Sequence, residues 1–451
     1  MKKVWLGALV FALGVALAAP AMAIDWSATG FIGVAGFYYK NIPSKVENPP
    51  GSTWAAQDWY NDENTFWQER VRLKLTARAN ENLYGVIYFE MDSWKWGEKK
   101  KESPGFPRNS IGVWGADQAS VEVKNAYLDF KVPQLPVWLR AGVQPYAIRP
   151  VVFMYADGPG ITGRAKIEPI KLTISGGWGK VYEGDVWRSE DWDIYFLLLD
   201  LPVGPVKVGG YWLYQDVREI TDGKSDEWHM HWLGLYSDGK IGPVKYNFDF
   251  AYDFGDYDAG DIDYSGWFIR GVLTYFSGNF DVGLGVMYAS GDDVTDPDDY
   301  EAFIRPYGSE ATAINNDSVI FGGWYTSFAG LGKIWLSWPS NYGGYMSGMW
   351  GVRAFADWQA LSWLKLGFQV WYWGDTTDEA DTFGTDAEDD DDIGVEIDVG
   401  AQVKIYKNLT WRTAFGYLVA GDALDQLDPV TRGSDSPDDP WVLATSLVYT
   451  F

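Results

Sequence analysis

The chain is 451 residues long and carries 36 Lys and Arg against 62 Asp and Glu, a formal net charge of −26. It has no cysteine, which excludes a disulfide scaffold, thiol catalysis and thiolate metal sites. So acidic a chain repels nucleic acid and other polyanions and attracts cations, while 26 Trp, 28 Tyr and 23 Phe are more than a soluble domain of this size needs.

Lys2 and Lys3 lead the apolar run VWLGALVFALGVALA, and the small residues Ala21 and Ala23 follow it. This predicts a signal peptide over 1–23, cleaved after Ala23. The run is shorter than the ~20 residues a spanning helix needs. Later apolar stretches are all broken by Gly, Asp or Lys, so an exported chain is either soluble or a β-barrel. Over 24–451, alternating segments of about ten residues are joined by short turns and long polar loops in turn, the pattern of an outer-membrane barrel. The short turns include NEN at Asn80, VGP at Val203, SGN at Ser277 and KN at Lys407.

The expected fold is therefore all-β, a transmembrane antiparallel β-barrel of about eighteen strands, 16–20 being compatible with the pattern, with periplasmic turns and extracellular loops. The expected strands begin at Trp26, Phe66, Leu83, Val121, Val137, Ile161, Ile170, Trp192, Val206, Trp228, Val244, Tyr264, Phe280, Met349, Leu364, Ile393, Leu409 and Val442.

In RVRLKLTARANENLYGVIYFEMD, pairing about Glu81 sets Arg72 opposite Glu90 and Arg70 opposite Asp92, with Lys74 in the same row. This row is expected to line the lumen, and the row of Leu73, Leu75, Ile87 and Phe89 to meet lipid. An equal reading is that the arginines only pair with neighbouring acids and hold the wall together. Next, QPYAIRPVVFMYADGPG over 144–160 is too apolar for a solvent loop. It reads as an inward constriction, with Arg149 and Asp157 as eyelet charges and Tyr146 and Tyr155 as walls; an outer loop packed on its neighbours is the alternative.

His229 and His231 in EWHMHW share one face, expected to point inward by the pattern of Trp228, Met230 and Trp232, which alternate with them. No third metal ligand accompanies them. In VKYNFDFAYDF one face is wholly apolar and the other holds Asp249 and Asp253; in IGVEIDVGAQVKI the polar face holds Glu396 and Asp398. Between these strands lies a long acidic loop, 291–346. Its Asp292, Asp293, Asp296, Asp298 and Asp299 are hard oxygen ligands suited to Ca²⁺, though without EF-hand spacing. No other cofactor is expected. Within that loop, SVIFGGWYTSFAGLGKIWLSW over 318–338 is either a further hairpin or an aromatic loop folded over or into the lumen. The terminal TSLVYTF puts Leu447, Tyr449 and Phe451 on one face, resembling the closing-strand signal read by the barrel-assembly machinery.

ENTFWQERVRLKLTARANENLYGVIYFEMD, VKNAYLDFKVPQLPVWLRAGVQ and YASGDDVTDPDDYEAF resemble segments of outer-membrane β-barrel porins, most closely the eighteen-stranded alginate-export-type barrels. The resemblance implies a lumen constricted by inward loops and passive passage of a solute. Those barrels conduct a polyanion along a basic path, whereas this chain is strongly acidic.

In a barrel of eighteen the second strand faces the eleventh, so Arg70, Arg72 and Lys74, with Arg140 and Arg164 nearby, are expected to look across water at Asp249 and Asp253. The expected function is a bacterial outer-membrane porin passing small hydrophilic solutes, cations or neutral molecules before anions. Alternatives are an alginate-export-type oligosaccharide or polysaccharide channel and an adhesive or structural barrel with a plugged lumen. Expected partners are outer-membrane lipid, lipopolysaccharide and the assembly machinery, with a homotrimer compatible. No catalytic motif is present: there is no Gly-x-Ser-x-Gly, no His-Glu-x-x-His and no phosphate loop.

Overall fold

A computed structural model describes residues 24–41, 64–96, 121–150, 152–183, 191–221, 224–258, 260–309, 317–329, 331, 347–379, 381, 389–427, 434–435 and 438–451. Residues 1–23, expected to be a signal peptide, and the parts of loop 291–346 not included in these ranges lie outside the described residues.

Eighteen antiparallel strands form the wall: β1 (Asp25–Lys40), β2 (Asn64–Asn80), β3 (Leu83–Lys95), β4 (Glu122–Lys131), β5 (Val137–Ile148), β6 (Met154–Ile167), β7 (Leu172–Glu183), β8 (Asp191–Val203) and β9 (Val206–Thr221) come first. They are followed by β10 (Lys224–Ile241), β11 (Val244–Tyr257), β12 (Trp267–Ser277), β13 (Phe280–Ala289), β14 (Met349–Leu361), β15 (Leu364–Asp375), β16 (Asp392–Tyr406), β17 (Leu409–Ala420) and β18 (Trp441–Thr450). Each pairs with its sequence neighbours, and β1 pairs with both β2 and β18, so the sheet has no open edge. Closure is what allows a sheet to stand in lipid, where no water can satisfy an unpaired edge.

Alternation decides the two faces. On β10, Leu233 and Leu235 are exposed on the outer wall, while Met230, Trp232 and Tyr236 are buried inside. The short connections are as tight as the chain allows: β8–β9 and β10–β11 turn through Gly204 and Gly242, each with φ +60, where a side chain would be strained. Several strands exceed the ~9–11 residues needed to cross a bilayer. The longest, β10, has 18 residues, so its long-loop end projects beyond the membrane.

The eighteen expected strands are all present, with four local differences. Strand β6 starts at Met154 rather than Ile161, because the β5–β6 hairpin stays paired to Ile148↔Met154. Strand β12 starts at Trp267; Ile262–Tyr264 instead forms a short strand paired with the end of β11 and, in parallel, with Asp299–Tyr300. Arg70 does not oppose Asp92, since a bulge between Glu69 and Val71 takes Arg70 out of register; the Asp92 side chain lies outside the described ones. Finally, His229 and His231 face outward, not inward. They sit in a stacked outer row with Tyr214 and Phe254, and Trp212 Nε1 donates to His231 Nδ1 at 3.3 Å.

Candidate functional site

The lumen is narrowed by three inward segments, each anchored by charged or amide side chains of the wall. The first is the β5–β6 hairpin. Pairing of β5 with β4 ends at Ala126↔Val143, and pairing of β6 with β7 ends at Gly160↔Gly179, so 144–159 leaves the wall as a two-stranded flap. Two paired glycines make the bend: Gly142 has φ +126, and a Cβ on Gly160 would meet the Tyr146 hydroxyl at 2.1 Å and the Trp178 carbonyl at 2.2 Å. The flap lies on the inner faces of β8 to β11. Tyr146 meets Phe196 edge-on, and the Phe153 ring is 4.5 Å from Tyr211.

At its tip, Arg149 donates to Asp238 at 2.6 and 3.0 Å and to both oxygens of Asp249, with its guanidinium 4.4 Å from the Tyr236 ring centroid. Burial opposes the Arg149 charge, but hydrogen bonds to the two carboxylates outweigh it and raise the pKa. Asp157 does not stand free as an eyelet charge: it takes an ion pair from Lys124 at 2.7 Å and a hydrogen bond from Asn125 at 2.6 Å. Tyr146 is buried between flap and wall, its hydroxyl 3.1 Å from the carbonyl oxygens of Pro159 and Trp178. The Tyr155 backbone N–H donates to Ser309 Oγ at 3.2 Å.

The second segment, 301–309, is tied to the wall by Asp253. Its carboxylate accepts the N–H groups of Gly266 at 3.1 Å and Ile304 at 3.0 Å, and Trp232 Nε1 donates to the Ile304 carbonyl at 2.6 Å. Asp253 is 0% exposed, so it does not face lumen water as expected. Its acid serves the backbone of a folded-in segment.

The third segment, 317–331 in its described part, is folded into the lumen and forms no strand of the wall. Glu396 accepts Ser318 Oγ at 2.8 Å, Val319 N at 3.0 Å, Ile320 N at 2.8 Å and Trp373 Nε1 at 2.9 Å. Asp398 accepts Gln369 Nε2 at 2.6 Å and Val319 N at 3.2 Å. Both acids, expected to line the pore, are covered by this loop, because neighbouring backbone N–H groups at its bend need acceptors. Asp317 pairs with Arg353 at 3.0 Å and with Arg270. Burial pushes the Asp317 carboxyl up, but the two guanidiniums prevail and hold it below its ordinary value.

The expected transverse pairing is likewise replaced by local pairs. Glu90 takes Arg72 at 2.7 Å, Arg70 at 3.2 Å and Lys124 at 3.2 Å; Arg70 also donates to the Ala329 carbonyl at 2.7 Å. Arg140 and Arg164 clamp Asp129 at 2.8 and 3.1 Å. Arg72 does oppose Glu90, and Lys74 opposes Tyr88 in the same row. Asp249 is within the lumen but answers Arg149, since the flap reaches it before any far wall can.

Between flap and third segment lies a cavity of about 400 Å³ lined by Arg149, Lys245, Asn247, Arg270, Asp317 and Arg353, among others. Alternation in WFIRGV and WGVRAF places Arg270 and Arg353 on the inward face, whereas no local signal in the sequence marks Asp317 or Asp238 as partners for lumen arginines. In the acidic loop, Asp292 Oδ1 accepts the Glu301 N–H at 2.9 Å, and Asp293 and Asp296 cap Thr295 and Asp298. Among the described residues no group of three acids is arranged to hold a metal ion, Asp298 and Asp299 included. Leu447, Tyr449 and Phe451 project from the outer wall, and the Phe451 backbone exchanges hydrogen bonds with Gly30 at 2.9 and 3.0 Å, closing the barrel.

A sequence profile described as "Alginate export" matches residues 200–435, more than half of the chain. The chain belongs to the alginate-export family. No curated protein matches this family member's sequence. Among solved structures, OccK9 (OpdG) of Pseudomonas aeruginosa is similar at TM-score 0.55 and 14% identity, covering 94% of this chain and 99% of its own. OpdK of the same organism, solved with vanillate, gives 0.54 at 11% identity over 94% and 98%; OccAB3 of Acinetobacter baumannii gives 0.54 at 12% over 94% and 99%. These likenesses show the fold of this alginate-export-family chain, a closed eighteen-stranded antiparallel β-barrel.

Proposed function

We propose that this barrel is a passive channel for small hydrophilic solutes that admits cations and neutral molecules more readily than anions. The observation that supports the preference is local neutralisation: Arg70, Arg72, Arg140, Arg149, Arg164, Arg270 and Arg353 each sit against a lumen carboxylate. Acids of the outer loop such as Asp296, Asp298 and Asp299 are exposed instead. The lumen then adds little net positive charge, and the mouth concentrates cations. Reversal potentials across a planar bilayer in a KCl gradient test this. Cation selectivity at low salt is expected, and anion selectivity there overturns the preference.

Family membership favours a second reading, export of an anionic polysaccharide. Its support is the family match itself; Lys245 and the Arg270–Arg353 pair at the cavity would supply the contacts. Block of the current by alginate oligosaccharides at low concentration would favour it, and indifference to them would favour the first.

A further inference from the structure

A second cavity, of about 470 Å³, lies under segment 301–309 at the long-loop end of the lumen. Its walls include Trp228, Trp232, Tyr264, Tyr300 and Tyr307, from β10, the short strands beside β11 and the inward segment. That volume falls within the ~300–1,000 Å³ usual for small-molecule sites. The cavity is built independently of any occupant. Asp253 and Trp232 hold Ile304, Ser309 Oγ donates to the Phe153 carbonyl at 3.1 Å, and Tyr307 N–H donates to Gln215 Oε1 at 3.0 Å.

That last bond fixes the Gln215 amide. With Oε1 committed to Tyr307, the amide cannot be flipped, and Nε2 has no hydrogen-bond partner among the described residues although Gln215 is only 3% exposed. A buried donor without an acceptor is uncommon in a native fold and calls for an explanation. Here the donor belongs to a residue lining an aromatic cavity, whose mouth carries Tyr307 at 55% exposure.

We infer that this cavity is a binding subsite for an uncharged saccharide unit. Flat aromatic walls suit the C–H faces of a sugar ring, and the amide and phenol groups suit its hydroxyl rim. An ionised ligand fits less well, because among the lining residues only Arg305 is charged, and it has interactions of its own. The inference rests on the channel reading, since the site would meet a solute on its way into the lumen, and it names the substrate class that reading left open.

The test is calorimetric titration of maltotriose into the full-length barrel in detergent, alongside single-channel recording in a bilayer with maltotriose on each side in turn. Saturable binding, and current block that is stronger from the long-loop side, are expected. Gln215→Leu and Tyr307→Ala should each weaken binding at least fivefold while heat-modifiable gel migration shows the barrel still folded. Tyr307 is exposed, so its variant keeps the test open if Gln215→Leu does not fold. No saturable heat, or tighter binding of benzoate than of maltotriose, would overturn the saccharide site. Binding without any ion conduction would instead overturn the channel reading and leave the site standing.

Discussion

At Gly160 a single hydrogen in place of a side chain lets the flap lie down. With Tyr146 and the Trp178 backbone already at contact, Gly160→Ala must move one of them, and overpacking of this kind costs about 1–3 kcal/mol. A lower urea midpoint and a larger open-channel conductance are the expected outcomes. Arg149 is the matching polar residue. Arg149→Ala leaves Asp249 buried without its cation, a loss of about 3–5 kcal/mol for a fully buried pair, and here at the low end because Asp238 is part exposed. Pairing the change with Asp249→Asn should recover part of that loss in a double-mutant cycle, and an additive result would show that the two side chains do not interact. The histidines show why residue-scale reading of a strand can invert. Both faces of β10 carry apolar residues, Trp228, Met230 and Trp232 on one and Leu233 and Leu235 on the other, so alternation separates them without telling which is inside. Trp232 and Met230 face inward because Phe153 and the 301–309 segment make the lumen apolar at that height.

At the scale of elements, the three inward segments rather than the strands determine the bore. Deleting 318–329 removes a segment whose contacts are with the inner wall, leaving every wall ladder intact. The expected result is a folded barrel with a severalfold larger conductance; unchanged conductance would mean the solute path lies elsewhere. The segment also carries a pH dependence with a defined sign. The Asp317 carboxyl in the folded barrel titrates below its ordinary 3.8, so its pairing with Arg270 and Arg353 stabilises the loop at all pH above that value and is lost as pH falls through the lowered one. The contribution of the Asp317 pairing should therefore hold steady from pH 7 to about 4 and be lost only below, so a low-pH rise in conductance present in the parent should be absent from Asp317→Asn. A rise beginning near pH 6 would assign the latch to another group.

For the whole molecule, the relevant contrast is between a mouth with exposed acids and a lumen in which seven arginines sit against carboxylates. Exposed charges are screened beyond about 10 Å at 0.1 M salt, whereas buried pairs are little affected. Cation selectivity is thus expected to fall steeply between about 0.03 and 1 M KCl, and a preference independent of salt would place its origin in the lumen.

How much of this was legible in the chain follows from the range of the forces involved. Strand identity and count depend on alternation and on turns such as Gly204 and Gly242, which act over a few residues, and in lipid the alternation must be obeyed on every strand. The closed barrel was therefore determined by the sequence alone, as was the pairing of Arg72 with Glu90, two residues equidistant from one turn. The fates of Asp253, Glu396 and Asp398 were not. Their inward direction was readable, but whether an inward acid meets water or a folded-in backbone depends on segments 51 and 78 residues away in the chain, Ile304 for Asp253 and Ser318 for Glu396. Only the tertiary structure decided that, because a loop's need for hydrogen-bond acceptors is met by whichever wall residue closure brings beneath it.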